Sequence, residues 1–310
     1  MSPRVAAVVV NWRLPGRTIA CLRSLEALAT PCRAIVVDNG SGDGSAAAIA
    51  AAAPGAELIA LPANLGFGAA CNRAIALALR DPGCEAVLLL NNDATIEPGA
   101  LAALLAEAAA HPEVGILGPK VRSSRDRRLL WYAGARRRRL VLAAAAPGRG
   151  RADAGAHEAP RAVDYVFGAA MLIRRPVLER VGGFDERYFL YLEDLDLCLR
   201  AQRAGFGLRY VPAALVWHEG SASTASDAGL RRFHYARSTA LFLRRHLAGA
   251  ALLPALAFWG LVALRAAALD LARGDLAALG DYAAGLRDGL RAARAGGARY
   301  PGPRTEPDAL

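Results

Sequence analysis

Short apolar runs alternate with longer stretches of helical periodicity along the first third of the chain. Residues 5–10 are continuously apolar and predict a buried strand. Residues 18–28 follow, with Ile19, Leu22 and Leu25 spaced for one face of a helix. The alternation then repeats, with strands at 34–37, 58–61 and 86–90 and helices at 45–53, 69–79 and 98–110. Strands separated by helices predict an α/β fold, a mostly parallel sheet sandwiched by helices. In such sheets ligands bind beyond the carboxyl ends of the strands. Polar residues gather at three of those ends: Asn11, the stretch Asp38 to Asp43, and Asn91 to Asp93.

Residues 122–162 break the pattern. They are rich in Arg, Gly, Ala and Pro, include Arg136-Arg137-Arg138-Arg139, and predict an irregular, partly mobile insertion that covers one side of the ligand site. Order returns at 164–173. A helix is expected at 190–204, a strand at 208–211, and helix throughout 228–310. The chain thus divides into an α/β unit over 1–227 and a helical C-terminal extension over 228–310.

Composition narrows the class. Hydrophobic residues make up 54% of the 310, which excludes a disordered chain. A net charge of +10 attracts anionic partners. Nearly all of it is Arg in an Ala-rich sequence, with Lys120 the exception, so charge is a weak guide to the partner. The 5 cysteines (Cys21, Cys32, Cys71, Cys84 and Cys198) show no C-x-x-C spacing, which argues against a disulfide framework or a zinc site and fits a reducing cytosol. The apolar run at 5–10 is too short for the core of a signal peptide.

Several segments carry groups suited to chemistry. Asp38-Asn39-Gly40-Ser41-Gly42-Asp43-Gly44-Ser45 follows a strand and precedes a helix. Its polar groups can hydrogen-bond a base or ribose; equally, Asp43 or Ser45 would cap the helix. Asn64-Leu65-Gly66-Phe67-Gly68 has the G-x-G of a dinucleotide fingerprint, but Cys71 replaces the third glycine and the segment follows the third strand. Arg73 inside that helix start suits a diphosphate, the alternative being a helix-packing glycine pair with a surface Arg. Asn91-Asn92-Asp93 closes an apolar strand. There Asp93 is placed to hold a divalent metal, with waters and substrate phosphates as further ligands, unless the triplet is only a turn.

Glu193, Asp194 and Asp196 open an amphipathic helix behind Tyr188-Phe189-Leu190-Tyr191. Helix-terminal charge accounts for the acids, and apolar neighbours would raise a carboxyl pKa toward that of a general base. On that helix Asp194 borders the apolar face marked by Leu192, Leu195 and Leu199, while Asp196 lies on the side of Glu193. His218, in Trp217-His218-Glu219, reads either as structural or as a ligand.

In order and spacing, VVVNW, VVDNGSGDGS, NLGFGAACN, LLLNNDATIEPG, GAAMLIRRPVLERVGGFDERYFLYLEDLDLCLRAQRAGF and the later WHEG resemble glycosyltransferase family 2, especially its bacterial rhamnosyltransferase-like members. The resemblance covers about residues 4–246. It implies a GT-A fold with a Rossmann-like nucleotide-binding half. It implies Asn11, Asp38 and Arg73 at the nucleotide, with Asp43, Asn64 and Asn92 added to that group. The resemblance puts Asp93 in the metal-binding place of the family's D-x-D motif, which here reads Asn91-Asn92-Asp93, and implies His218 as a second ligand to a Mg²⁺ or Mn²⁺ ion. Asp194 is the expected catalytic base, and Gly168, Glu193 and Trp217 are assigned to the acceptor side. The Q-x-x-R-W motif of processive synthases is absent, which argues against polymer extrusion.

The implied activity is inverting transfer of a sugar, rhamnose being the candidate, from a nucleoside-diphosphate donor to a glycan or polyprenyl-linked hydroxyl in cell-envelope synthesis. Nucleic acid is not an expected partner. Residues 247–264 form an uncharged run behind Arg231, Arg232, Arg237, Arg244 and Arg245. Three readings compete for it: a buried helix or helix pair, an interfacial helix and a membrane span. The arginines favour an anionic membrane surface, hence an enzyme peripheral to the cytoplasmic face. Two rival classes remain. A nucleotide-dependent oxidoreductase needs its glycine fingerprint after the first strand, where Asn11-Trp12-Arg13-Leu14-Pro15-Gly16 stands. A non-catalytic basic module explains the arginines but not the ordered acids.

Overall fold

The computed structural model describes residues 4–138, 140–220, 228–272 and 274–294. Strands β1 (Val5–Asn11), β2 (Arg33–Asp38), β3 (Glu57–Ala60) and β4 (Ala86–Leu90) are parallel in the order β3-β2-β1-β4. Helices α1 (Pro15–Glu26), α2 (Ser45–Ala52) and α3 (Phe67–Ala78) make the crossovers. Every residue of β1 and β4 is buried, which is why both read as unbroken apolar runs rather than as alternation. Helix α1 begins earlier than its apolar spacing suggests because Pro15 sits in the first turn, where no N–H is needed.

Beyond β4 the sheet becomes mixed. After β5 (Ala94–Ile96) and α4 (Ala100–Ala110) comes β6 (Val114–Ser123), a strand the sequence reading missed because Gly115, Gly118, Pro119 and Lys120 interrupt its apolar pattern. The insertion at 122–162 is more regular than expected. It contains β7 (Leu130–Tyr132), the hairpin β8 (Arg136–Arg138) and β9 (Ala143–Ala145), and β10 (Arg161–Ala162). The Asp153 carboxylate accepts from Lys120 Nζ (3.0 Å) and from Arg122, tying the insertion to β6. Strand β11 (Ala170–Arg174) pairs antiparallel with both β4 and β6. After α5 (Arg175–Val181) and α6 (Glu193–Arg203), β12 (Gly207–His218) completes the sheet order β10-β12-β6-β11-β4-β1-β2-β3. Strand β12 runs well past the expected 208–211. It absorbs Pro212 in a register shift between Val211 and Leu215, then pairs on to His218.

Helix α6 starts at Glu193 rather than 190 because Tyr191 and Leu192 are left-handed, with φ of 69° and 65°. Two consecutive non-glycine residues there cost on the order of 1–2 kcal/mol each. The C-terminal extension is helical as expected, with α7 (Ala228–His246), a 3₁₀ turn at Gly249–Ala251, α8 (Leu252–Ala272) and α9 (Leu276–Arg294). Helices α7 and α9 touch backbone to backbone: a Cβ on Gly289 would lie 2.2 Å from the Arg237 carbonyl oxygen. The extension also grips α6. Buried Asp196 receives Arg200 Nε (2.6 Å), Arg245 Nε (3.1 Å) and His246 Nε2 (2.7 Å).

The run at 247–264 is not a buried helix. Leu253, Leu261 and Leu264 are 67%, 68% and 68% exposed. Pro254 lies in the first turn of α8 and does not divide it. The segment Gly249–Ala272 is long and apolar enough to cross a membrane, and 6% of its most apolar window is buried. Expectations for Arg139, for 221–227 and for helix over 295–310 lie outside the described residues.

Candidate active site

The carboxyl ends of β1 and β2 carry a closed polar network. Asn11 is fully buried; it donates to Asp38 Oδ1 (2.7 Å) and accepts from Thr18 Oγ1 (2.7 Å). Ser41 Oγ also donates to Asp38 Oδ1 (2.5 Å). Asn92 Nδ2 reaches Thr18 Oγ1 at 3.2 Å, which links the end of β4 to this network. Asn39 joins the next loop: its Nδ2 donates to Asn64 Oδ1 (2.9 Å) and its Oδ1 accepts from Leu65 N (2.9 Å). Asp43 is occupied locally, accepting from Ser45 Oγ (2.5 Å) and Ser45 N (3.0 Å) in the turn before α2, whose N-cap is Gly44; these bonds lower its pKa.

Asp93 follows β4 and His218 ends β12. The extra length of β12 pairs His218 with Ala94, which brings the two residues together. His218 Nε2 lies 3.0 Å from Asp93 Oδ1, with both side chains buried. Trp131 packs edge-on to the imidazole at 5.1 Å between ring centroids. Among the described residues no group of three His, Cys, Asp or Glu converges on one point. Two donors, one a carboxylate, still suit Mg²⁺ or Mn²⁺, whose shell is completed by water and phosphate oxygens.

The left-handed step at Tyr191-Leu192 turns the start of α6 into the core. Asp194 Oδ2 accepts from Tyr165 Oη (2.5 Å) and Gly168 N (2.8 Å), while Oδ1 accepts from Leu195 N (2.8 Å). A Cβ on Gly168 would sit 2.9 Å from Asp194 Oδ2, so only glycine lets this backbone approach the carboxylate. Burial raises the Asp194 pKa, and the bonds from Tyr165, Gly168 and Leu195 oppose the rise. Glu193 Oε2 is buried with no hydrogen-bond partner. Burial and then the Asp194 charge push the Glu193 carboxyl up to about 8. The two adjacent carboxyls titrate as a pair, and Asp194 is the one whose oxygens accept hydrogen bonds.

These pieces face one cleft of about 680 Å³. Asn64, Asn92, Asp93, Gly168, Glu193, Asp194 and His218 all line it. Asn11 and Asp38 lie behind its wall in the buried network, and Asp43 and Arg73 are not on it. Arg73 is half-exposed with its guanidinium 3.7 Å from Glu186. Trp217 alternates with His218 on β12 and faces away. Its Nε1 donates to Glu97 (2.6 Å) and the Arg127 guanidinium lies 4.0 Å over its ring.

The same chain matches the family model described as "Glycosyltransferase like family 2" over residues 3–237. It belongs to glycosyltransferase family 2. Among relatives of this family 2 enzyme is N-acetylglucosaminyl-diphospho-decaprenol L-rhamnosyltransferase of Mycobacterium tuberculosis, 34% identical over 260 residues, covering 77% of this chain and 84% of the relative. Rhamnosyltransferase WbbL of Escherichia coli is 55% identical over 51 residues, 16% of this chain and 19% of that one. Solved structures support the GT-A fold. A Pyrobaculum calidifontis mannosyltransferase in complex with GDP-Man and Mn²⁺ aligns with TM-score 0.55 at 19% identity, covering 96% of this chain and 77% of that one. Staphylococcus aureus TarS 1–349 aligns with TM-score 0.54 at 17% identity, covering 83% and 71%.

The cleft of this glycosyltransferase also holds groups the sequence reading missed. Tyr165 and Phe167 line it from the loop before β11; Trp131 and Arg149 come from the insertion, Tyr235 and Trp259 from α7 and α8. None stands in a patterned motif. Apart from Arg149, one of many arginines in the insertion, their only signal is aromatic character in otherwise polar or Ala-rich segments.

Proposed function

We propose that the chain transfers L-rhamnose from a nucleoside-diphosphate donor to a hydroxyl of a polyprenyl-diphosphate-linked amino sugar, with inversion at the anomeric carbon. Two facts support the substrates: the 34% identity to the mycobacterial rhamnosyltransferase, and a cleft lined in part by Trp259 of α8, the helix that carries the exposed leucines. The observation that carries the chemistry is that buried Asp194 and the Asp93–His218 pair open into one cleft.

In the proposed step the acceptor oxygen attacks the anomeric carbon as the bond to the donor diphosphate breaks. Asp194 takes the hydroxyl proton. Tyr165 and the Gly168 N–H fix the carboxylate's orientation, and their hydrogen bonds favour its charged form against burial. Glu193, protonated, offers a hydrogen bond to the acceptor instead of a second charge. Asn39, Asn64 and Asn92 present amides for the nucleoside and sugar, and the Asn11–Asp38 network holds the loops that carry them. Asp93 and His218 would hold a divalent cation, which when bound neutralises charge on the departing diphosphate. Residues 1–227 form the transfer unit in this reading, and 228–310 bring it to the cytoplasmic membrane face through the outer leucines of α8.

The test is a screen of nucleoside-diphosphate sugars for slow hydrolysis with Mn²⁺, followed by transfer to a polyprenyl-diphosphate amino sugar. Rhamnose donors should be hydrolysed fastest and should label the lipid acceptor. A preference for another sugar would refute the donor assignment.

A further inference from the structure

The residues lining the cleft are unevenly charged. Asp93, Glu193 and Asp194 supply carboxylates, whereas Arg149 is the only guanidinium or ammonium among the described lining residues. Many other arginines of the chain are paired with acids: Arg187 with Asp185, Arg200 with Asp196, Arg237 with Asp288. Among the described residues Arg149 has no acidic partner within ion-pair distance. Its guanidinium lies 4.6 Å over the ring of Trp131 instead.

The turn carrying Arg149 is fixed. Gly150 N donates to Leu130 O (2.8 Å) and Leu130 N donates to the Arg151 carbonyl (2.9 Å), so the two residues directly after Arg149 are laced to β7. Arg149 is also near α7. Burial raises the Tyr235 phenol pKa, Tyr282 adds to it, and the Arg149 charge opposes it. Tyr235 in turn packs 6.2 Å from Trp259 of α8, whose Nε1 donates to the Val141 carbonyl (2.9 Å). Beyond Trp259 the surface of α8 is the exposed apolar face of Leu253, Leu256 and Leu264.

A single fixed cation therefore stands in a cleft that carries three carboxylates and is walled on the α8 side by Trp259. An amphiphile with a sugar, a diphosphate and a hydrocarbon tail meets these surfaces in that order. We infer that Arg149, stacked on Trp131, binds the diphosphate of the acceptor lipid, and that its tail leaves the cleft past Tyr235 and Trp259 onto α8. This rests on the proposed lipid-diphosphate acceptor and adds the residue that reads the diphosphate. An Arg fork suits the task, because it offers paired donors to phosphate oxygens without needing deprotonation or a metal.

The experiment compares the full-length wild type with Arg149→Ala and Arg149→Lys. Each is given the same rhamnose donor and two acceptors, N-acetylglucosaminyl-diphospho-farnesol and octyl N-acetylglucosaminide, which has no phosphate. Arg149→Ala should raise KM for the diphosphate acceptor roughly tenfold or more and leave KM for the octyl acceptor within about twofold. Arg149→Lys should recover part of the loss. A rise in donor KM with an unchanged acceptor KM would overturn the proposal and assign Arg149 to the donor diphosphate. Equal losses on both acceptors would reduce it to a prop for Trp131, and no loss on either would remove it from the site. Wild type that uses only the octyl acceptor would refute the underlying lipid-diphosphate reading, an outcome separable from the behaviour of the variants.

Discussion

The two sides of the cleft are built differently. On the β1–β4 side each polar group lies at the end of its own strand and bonds to its neighbours: Asn11 to Asp38, Asn39 to Asn64, Asn92 to Thr18. On the other side nothing is local. Asp194 is held by Tyr165 and Gly168, and His218 meets Asp93 across the sheet. Aromatic side chains from the insertion and from the C-terminal helices finish the wall. One side is a scaffold whose polar groups satisfy each other. The other leaves reactive groups buried and incompletely satisfied, as the lone Glu193 Oε2 shows. Substitutions should therefore cost mainly stability in the buried Asn11–Asp38 network and mainly turnover on the second side.

The largest expected effect is at Asp194. Asp194→Asn should lower kcat by at least the roughly 10²–10⁴-fold typical of lost general-base catalysis while donor affinity stays nearly intact. Single-turnover assays with a donor titration check this, and near-normal turnover would move the base elsewhere. Next is Asp93→Ala. It should weaken Mn²⁺-dependent nucleoside-diphosphate binding by more than the roughly 10–100-fold that loss of an outer-shell partner costs. Calorimetry with and without Mn²⁺ reads it directly.

Asn11→Ala sharpens the contrast. It leaves Asp38 and Thr18 short of a partner inside the core, so unfolding free energy should fall by roughly 1–3 kcal/mol, with turnover of the folded fraction much less affected. Glu193→Gln should do the opposite. The folded-state pKa of Glu193 is raised above its unfolded value, so the folded state binds the proton more tightly. Its contribution to stability is fully present below the unfolded pKa near 4.5 and is lost as pH rises through about 8. Glutamine has no proton to lose, so the variant should match wild type at pH 4 and be the more stable of the two at pH 8. Denaturant melts at the two pH values decide it; equal stability at pH 8 would mean that Glu193 is ionised in the fold.

The same contrast explains what could be read from the chain itself. Strands β1, β2 and β4 and the polar residues at their ends are local features, so apolar runs and their terminators reveal them. Asp194 was legible because α6 carries its own periodicity. Gly168 was legible as a site residue, but its contact with Asp194 and the partner Tyr165 were not, since the contact depends on a glycine tolerating a carboxylate 2.9 Å from its missing Cβ. Arg73 and Asp43 were legible as motif residues but are spent on Glu186 and Ser45. Trp217 was misplaced because strand alternation turns it away from the side that His218 faces. Strand β6 was hidden by Gly115, Gly118 and Pro119, and the end of β12 by Pro212, whose cost is met by a bulge rather than by ending the strand.

The ring of contacts around Asp196 has a practical consequence for anyone preparing the protein. The obvious route to a better-behaved sample is to trim the greasy tail before residue 228. That cut would remove Arg245 and His246 and leave a fully buried carboxylate with Arg200 alone, beside the very helix that presents Asp194. The shortened protein should express as a weakened fold with α6 disturbed, and its inactivity would say nothing about membranes. Recoding the outward leucines of α8, Leu253, Leu261 and Leu264, to Gln or Lys leaves those contacts in place and separates solubility from catalysis.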